Sequence, residues 1–189
     1  LEATDRLDSA NLTMDDVTNP QGWVLLGLTL DPRSGLGPEF QKYFRWLVEY
    51  IKEVPVEKVL AHREVKRRTD RVLEEQEQFK AALAGRVRQD SNVIVTDLRG
   101  IPEKPVGNRF LVFTMFPEAN VEMRLFDGKL GNVVVAVGHN IFNRTCSVNA
   151  GELLKEYGGG GHRGAGTTQL EKDTAEQKIA EILARLKEN

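Results

Sequence analysis

The sequence predicts an α/β protein in which a helical N-terminal segment and a long linker helix precede a mixed-sheet α/β domain. Three observations predict it. Apolar residues recur near helical spacing from Pro38 to about Val87, with charged residues between them. From about Gln89 the pattern changes to β-branched runs, Val93-Ile94-Val95 and Val133-Val134-Val135-Ala136-Val137. Helical and extended stretches then alternate, with an Asp127-Gly128 turn among them, so the sheet cannot be purely parallel.

Taken in order, Asn19 and Pro20 predict the cap and first turn of a short apolar helix, Trp23 to Leu30, weakened by Gly22 and Gly27. Asp31-Pro32-Arg33-Ser34-Gly35 reads as a turn. Pro38 opens a helix with Phe40, Phe44, Leu47, Val48 and Ile51 on one face. From Pro55 to about Val87, the positions Val56, Val59, Val65, Val72, Phe79 and Leu83 mark a single helix. At 1.5 Å per residue, about thirty residues reach roughly 45 Å. The narrow apolar stripe suits a spacer between two bodies. Its cluster Arg63, Lys66, Arg67, Arg68 and Arg71 reads as a solvated face balanced by Glu74, Glu75 and Glu77, rather than as a nucleic-acid patch. His62, with no metal-type ligand at i+4, reads as a surface residue.

In the C-terminal part, Val93 to Val95 is a strand and Gly100 to Gly107 a loop. Phe110 to Phe116 is apolar on both faces and predicts a second, central strand. Val121, Met123 and Leu125 alternate with Glu122, Arg124 and Phe126. Asn149 caps a short helix, Ala150 to Tyr157, and Thr167 to Leu170 forms another strand. Asp173 caps a final amphipathic helix carrying Ile179, Ile182, Leu183 and Leu186. The resulting divisions are 1–54, a linker helix 55–88, and 89–189.

The 189 residues carry a net charge of −2, so no global basic field draws in nucleic acid. Any anionic ligand must be gripped locally. The single cysteine, Cys146, excludes an internal disulfide and fits a cytoplasmic setting. No apolar run reaches the roughly 18–20 residues that span a bilayer, and there is no signal-peptide pattern. The chain opens on Leu1 rather than methionine, which predicts a piece of a longer protein.

The stretch Gly158 to Gly166 holds six glycines around His162 and Arg163. Successive amides in a tight turn can form an anion-binding concavity, to which an imidazole and a guanidinium add donors. A packed loop with two solvated bases is the other reading. A phosphate or nucleotide site is the expectation, because low-complexity linkers rarely place His-Arg at their centre. Gly159, Gly161 and Gly164 satisfy G-x-G-x-x-G, but a helix precedes the run and a strand follows, the reverse of the dinucleotide fingerprint. The Gly-Lys-Ser/Thr of a Walker loop is absent. No metal-ligand spacing and no nucleophile–base pair stands out, so no catalytic residue is assigned. His162 reads as a hydrogen-bond donor, and His139 as a hydrogen-bonding residue at a strand end. Arg144 suits a phosphate by its fork, or equally a plain surface position.

Together, Ile141-Phe142-Asn143-Arg144, Asn149-Ala150-Gly151-Glu152-Leu153-Leu154 and Tyr157 to Gly166 resemble the DHH-associated C-terminal domain. That domain belongs to the DHH phosphoesterase superfamily, which includes RecJ-like exonucleases, oligoribonucleases, cyclic-dinucleotide phosphodiesterases and exopolyphosphatase-related proteins. The resemblance covers about residues 90–189. It implies that Gly159, Gly160, Gly161 and His162, with Arg163 beside them and Arg144 as partner, hold the substrate's phosphate. The family's usual His-x-x-Ala-Ala-Gly ending is here His162-Arg163-Gly164-Ala165-Gly166-Thr167.

The family's manganese or magnesium chemistry lies in an N-terminal domain with an Asp-His-His signature, which does not occur in this sequence. The opening Asp5-Arg6-Leu7-Asp8-Ser9-Ala10 resembles the tail of that domain, and the resemblance leaves Asp5 or Asp8 as a metal ligand in a full-length protein. The expectation is therefore a substrate-binding half, without metal or hydrolysis of its own, whose partners are the missing N-terminal domain and a phosphate-containing substrate: nucleotide, short RNA or DNA, or polyphosphate. A second reading is an RNA-binding accessory domain similar to the C-terminal domain of alanyl-tRNA synthetase. A third is a homodimer formed through the helices between Trp23 and Ile51. No membrane partner is expected.

Overall fold

The computed structural model describes residues 2–30, 37–102 and 105–188; the turn expected at Asp31 to Gly35 lies outside them. The chain divides into two compact units, Leu1–Lys80 with Pro105–Asn108, and Ala81–Lys104 with Arg109–Asn189. Among the described residues, no helix is long and apolar enough to cross a membrane.

The first unit is helical: α1 (Glu2–Asp8), α2 (Met14–Thr18), α3 (Gly22–Leu28), α4 (Pro38–Tyr50), α5 (Val56–Ala61) and most of α6 (Arg63–Leu83). A reciprocal capping box starts α2. The Thr13 hydroxyl accepts from the Asp16 amide, and the Asp16 carboxylate accepts from the Thr13 amide at 2.8 Å. Asn19 is therefore not the expected N-cap. Its amide still donates to Asp15, closing α2, and Gln21 takes the N-cap position of α3.

Pro38 opens α4 as expected, but the buried face is turned. Tyr43 and Leu47 are buried while Phe44 is 44% and Val48 37% exposed. Tyr43 can enter the core because its polar tip is satisfied by the Thr29 hydroxyl at 2.8 Å, with the Arg68 guanidinium 4.0 Å from its ring centre.

The single helix expected from Pro55 to Val87 is broken at His62, whose ψ of 131° is extended. His62 restarts the helix instead. Its Nδ1 accepts from the Glu64 amide at 3.3 Å and its carbonyl from the Lys66 amide at 2.8 Å. Nor is it a surface residue, since its half-buried ring lies 4.6 Å from Trp46 and 5.3 Å from Tyr50. Along α6 the basic side chains pair locally: Lys66 with Asp70, Arg67 and Arg68 with Glu64, and Arg71 with Glu75. That is a solvated face.

The second unit holds β1 (Val87–Asp90), β2 (Val93–Asp97), α7 (Leu111–Met115), β3 (Val121–Asp127), β4 (Val133–His139), α8 (Ala150–Lys155), β5 (Gly160–His162), β6 (Ala165–Leu170) and α9 (Lys172–Lys187). The six strands run β1-β2-β3-β4-β6-β5, with β2 and β3 parallel and the other neighbours antiparallel. Val121, Met123 and Leu125 alternate inward and meet Val133, Val135 and Val137 of β4. Leu153 and Leu154 of α8, with Ile179, Ile182 and Leu186 of α9, complete this core.

Two even-numbered positions of β3 carry a buried ion pair. Arg124 donates to both oxygens of Glu122 at 2.8 Å, and the Thr96 hydroxyl donates to Glu122 at 2.6 Å. Phe110 to Phe116 is not a central strand. Leu111, Val112 and Phe113 are buried in the single helical turn of α7, which a continuous apolar run cannot distinguish from a strand. Asp173 sits in the first turn of α9 rather than capping it. The chain passes from β6 straight into Glu171, which occupies the N-cap.

Candidate functional site

The glycine run is not a loose loop. Gly158 has φ +77°; its amide donates to Lys155 and that of Gly159 to Leu154, at 3.1 and 2.9 Å. This is a Schellman stop for α8, and only glycine enters that left-handed conformation without strain. Gly160 to His162 then form β5, paired in a hairpin with β6 through Gly160–Thr167, Gly161–Gly166 and His162–Ala165. Arg163 and Gly164 make the turn.

Most of the missing side chains have internal causes. A Cβ on Gly159 would lie 2.3 Å from the Thr167 carbonyl oxygen, and one on Gly161 2.2 Å from that of Ala165. On Gly151 it would lie 2.7 Å from the Gly161 carbonyl, and on Gly166 2.9 Å from that of Gly160. Helix and hairpin therefore close backbone to backbone. Gly160 and Gly164 are the exceptions in the run. Neither has a φ in the left-handed region; a Cβ on Gly160 would meet nothing within 4 Å, and one on Gly164 only the His162 ring at 3.8 Å, an ordinary contact.

The expected cradle of free amides is correspondingly smaller, because those of Gly158 and Gly159 end α8. The Gly164 amide is also used, donating to Nδ1 of His162 at 3.2 Å. An Nδ1 that accepts leaves the proton of neutral His162 on Nε2, as a donor. His162 and Arg163 are both exposed.

The segment before α8 is stitched to this turn. The Ala150 amide donates to the Arg163 carbonyl at 3.0 Å, and Arg163 Nη2 reaches the Ser147 carbonyl at 3.4 Å. The His139 amide donates to the Gly164 carbonyl at 2.8 Å, and its ring Nε2 lies 2.9 Å from the Val148 carbonyl. Burial first, then the charges of Arg163 and His162, hold His139 below the usual histidine range, against the opposing Val148 bond. Burial likewise pushes the Cys146 thiol up.

Arg144 is exposed on this same segment, and its Nε donates to the Ile141 carbonyl at 3.1 Å. Its neighbours are held by a ladder that sequence reasoning missed. Asn92 donates to Asn120, Asn120 to the Thr145 hydroxyl, and Thr145 to Asn143, across 2.8–3.1 Å. Asn140, fully buried, donates to the Ala119 carbonyl and accepts from the Phe142 amide. The available signal was four asparagines at strand ends and loop starts. Arg144, His162 and Arg163 thus stand on segments fixed to one end of the sheet.

A divalent metal finds no ligand set here. Among the described residues, no three His, Cys, Asp or Glu side chains are grouped to hold one. Asp5 and Asp8 are exposed on α1.

No protein-family model matches the sequence, nor does any curated protein. Among solved structures, PggH from Vibrio cholerae, a pGpG-specific phosphodiesterase, aligns with a TM-score of 0.91 and 30% identity over 98% of this chain. The chain spans 64% of the length of PggH. A DHH domain from a member of a family of ribosomal proteins aligns with a TM-score of 0.50 and 14% identity, over 87% of this chain and 50% of that one. At that identity the likeness is one of fold.

Proposed function

The chain is a relative of the DHH phosphoesterases through their DHH-associated domain, and on that premise we propose that it holds a phosphate-containing substrate at the β5–β6 hairpin. The observation that carries this reading is Gly160. Gly158, Gly159, Gly161 and Gly166 are glycine because helix termination or the protein's own backbone demands it; no internal contact demands it at Gly160. A ligand backed against that bare Cα is what a side chain would exclude. The exposed His162 Nε2–H and the Arg163 guanidinium follow within three residues, with Arg144 on the neighbouring segment as a third donor.

The role is positioning. A phosphate fixed by these donors presents the scissile bond to catalytic groups elsewhere, which lowers the barrier by orientation. Bond breaking is assigned to a metal-bearing part of the protein that these residues do not supply. PggH acts on pGpG, so a short guanine dinucleotide is the first ligand to try, followed by mononucleotides and pyrophosphate.

Calorimetric titration of the wild type and Gly160→Ala tests the site. We expect binding by the wild type and at least a tenfold loss in the variant, with melting unchanged. Equal binding by both overturns the assignment to Gly160. A preference for long structured RNA over dinucleotides would favour the accessory-domain reading, and manganese-dependent release of nucleotide by this chain would sink the division of labour.

A further inference from the structure

A phosphate asks only for donors, and His162 Nε2–H, Arg163 and Arg144 are donors. His139 breaks that pattern. Its Nε2 lies 2.9 Å from the Val148 carbonyl oxygen. A carbonyl only accepts, so the proton of the neutral ring is on Nε2. Nδ1 is then a bare lone pair, and among the described residues it has no hydrogen-bond partner. The ring is half-buried at the end of β4, and its backbone is bonded to Gly164 in the hairpin turn.

Burial, and after it the charge of Arg163, hold this imidazole below the usual histidine range against the opposing Val148 bond, so the lone pair persists at neutral pH. Next to a phosphate oxygen such a lone pair repels. Next to a hydroxyl it is satisfied. A ribonucleotide offers both groups together, because its 2′-hydroxyl is the neighbour of the 3′-phosphate.

We propose that Nδ1 of His139 accepts a hydrogen bond from the 2′-hydroxyl of the bound ligand, so that the site selects ribonucleotides over deoxyribonucleotides and inorganic polyphosphate. This rests on the reading of the hairpin as the substrate site. His139 then sets specificity, while its Nε2 serves the fold by holding Val148.

The test is a calorimetric comparison of pGpG, its 2′-deoxy counterpart and tripolyphosphate. The wild type is expected to bind pGpG about tenfold more tightly than the deoxy form, the scale of one matched hydrogen bond. In His139→Gln the amide nitrogen replaces Nε2 on Val148 but leaves no acceptor at the Nδ1 position. That variant should bind the two dinucleotides equally, at the wild-type deoxy affinity. His139→Asn sets an acceptor near Nδ1 and abandons Val148; it should melt lower yet keep the ribose preference.

Equal binding of both dinucleotides by the wild type overturns this inference alone, as does a preference that survives in His139→Gln or vanishes in folded His139→Asn. Failure of the wild type to bind any of the three ligands overturns the reading of the hairpin, and this inference with it.

Discussion

The Gly164 amide donates to Nδ1 of His162 across 3.2 Å, which fixes both the tautomer and the tilt of an exposed ring. Nε2–H is the donor that remains for a ligand. His162→Ala should weaken binding of pyrophosphate or a dinucleotide by about 1.5–3 kcal/mol, the range for a hydrogen bond to a charged group. Titration calorimetry reads that loss. The melting temperature should not move, because the ring buries nothing.

The glycines should separate by cause. Gly161→Ala sets a Cβ against the Ala165 carbonyl at a φ of +154°, and should cost more than about 1 kcal/mol. In a chain of this size that is a fall of about 2–4 °C or more in melting temperature. Gly160→Ala should stay within about 0.5 kcal/mol of the wild type, because its added Cβ meets nothing within 4 Å. Equal melting of the two variants would mean that the backbone closeness at Gly161 is unimportant.

That separation marks the limit of what the sequence revealed. The mixed sheet was legible because Val93–Val95, Val121–Leu125 and Val133–Val137 are β-branched or alternating, with an Asp-Gly turn between the last two. The Asn149 cap was legible from residue type and spacing. Phe110–Phe116 was not, since a segment buried on every side loses the periodicity that tells helix from strand. His62 hid a helix break because its capping acts through ring Nδ1, outside the usual Ser, Thr, Asp and Asn signal. At the candidate site, composition singled out the glycine stretch as a loop but not as the β5–β6 hairpin, and a run of identical glycines conceals which end the helix and which let backbone approach backbone. The role of Asn120 was equally hidden, because its partners Asn92 and Thr145 are 28 and 25 residues away.

The buried Glu122–Arg124 pair should be intolerant of half-removal. Glu122→Ala takes the paired carboxylate from the buried Arg124 guanidinium, which keeps the Arg109 carbonyl, and strands the Thr96 hydroxyl. A loss of about 3–5 kcal/mol in urea unfolding is expected. The double change Glu122→Met with Arg124→Met should recover most of it. If the single variant unfolds at the wild-type midpoint, the pair contributes nothing.

Stability should also depend on pH through His139. Its folded pKa is depressed, chiefly by burial, so the unfolded chain takes up the proton first as pH falls. The contribution is fully present above the ordinary histidine value of about 6.5, and is lost as pH drops through the lower folded value. Melting curves from pH 7.5 to 5 should show a decline that is smaller in His139→Gln. An identical slope in both proteins would remove His139 from the account.

The Schellman stop at Gly158 has a kinetic consequence. Main-chain torsions around the hairpin are already spent on α8 and the turn, so a guest arriving there freezes little of its host. If the hairpin holds the proposed ligand, capture needs no rearrangement first, and differences among guests will be written in how long each stays.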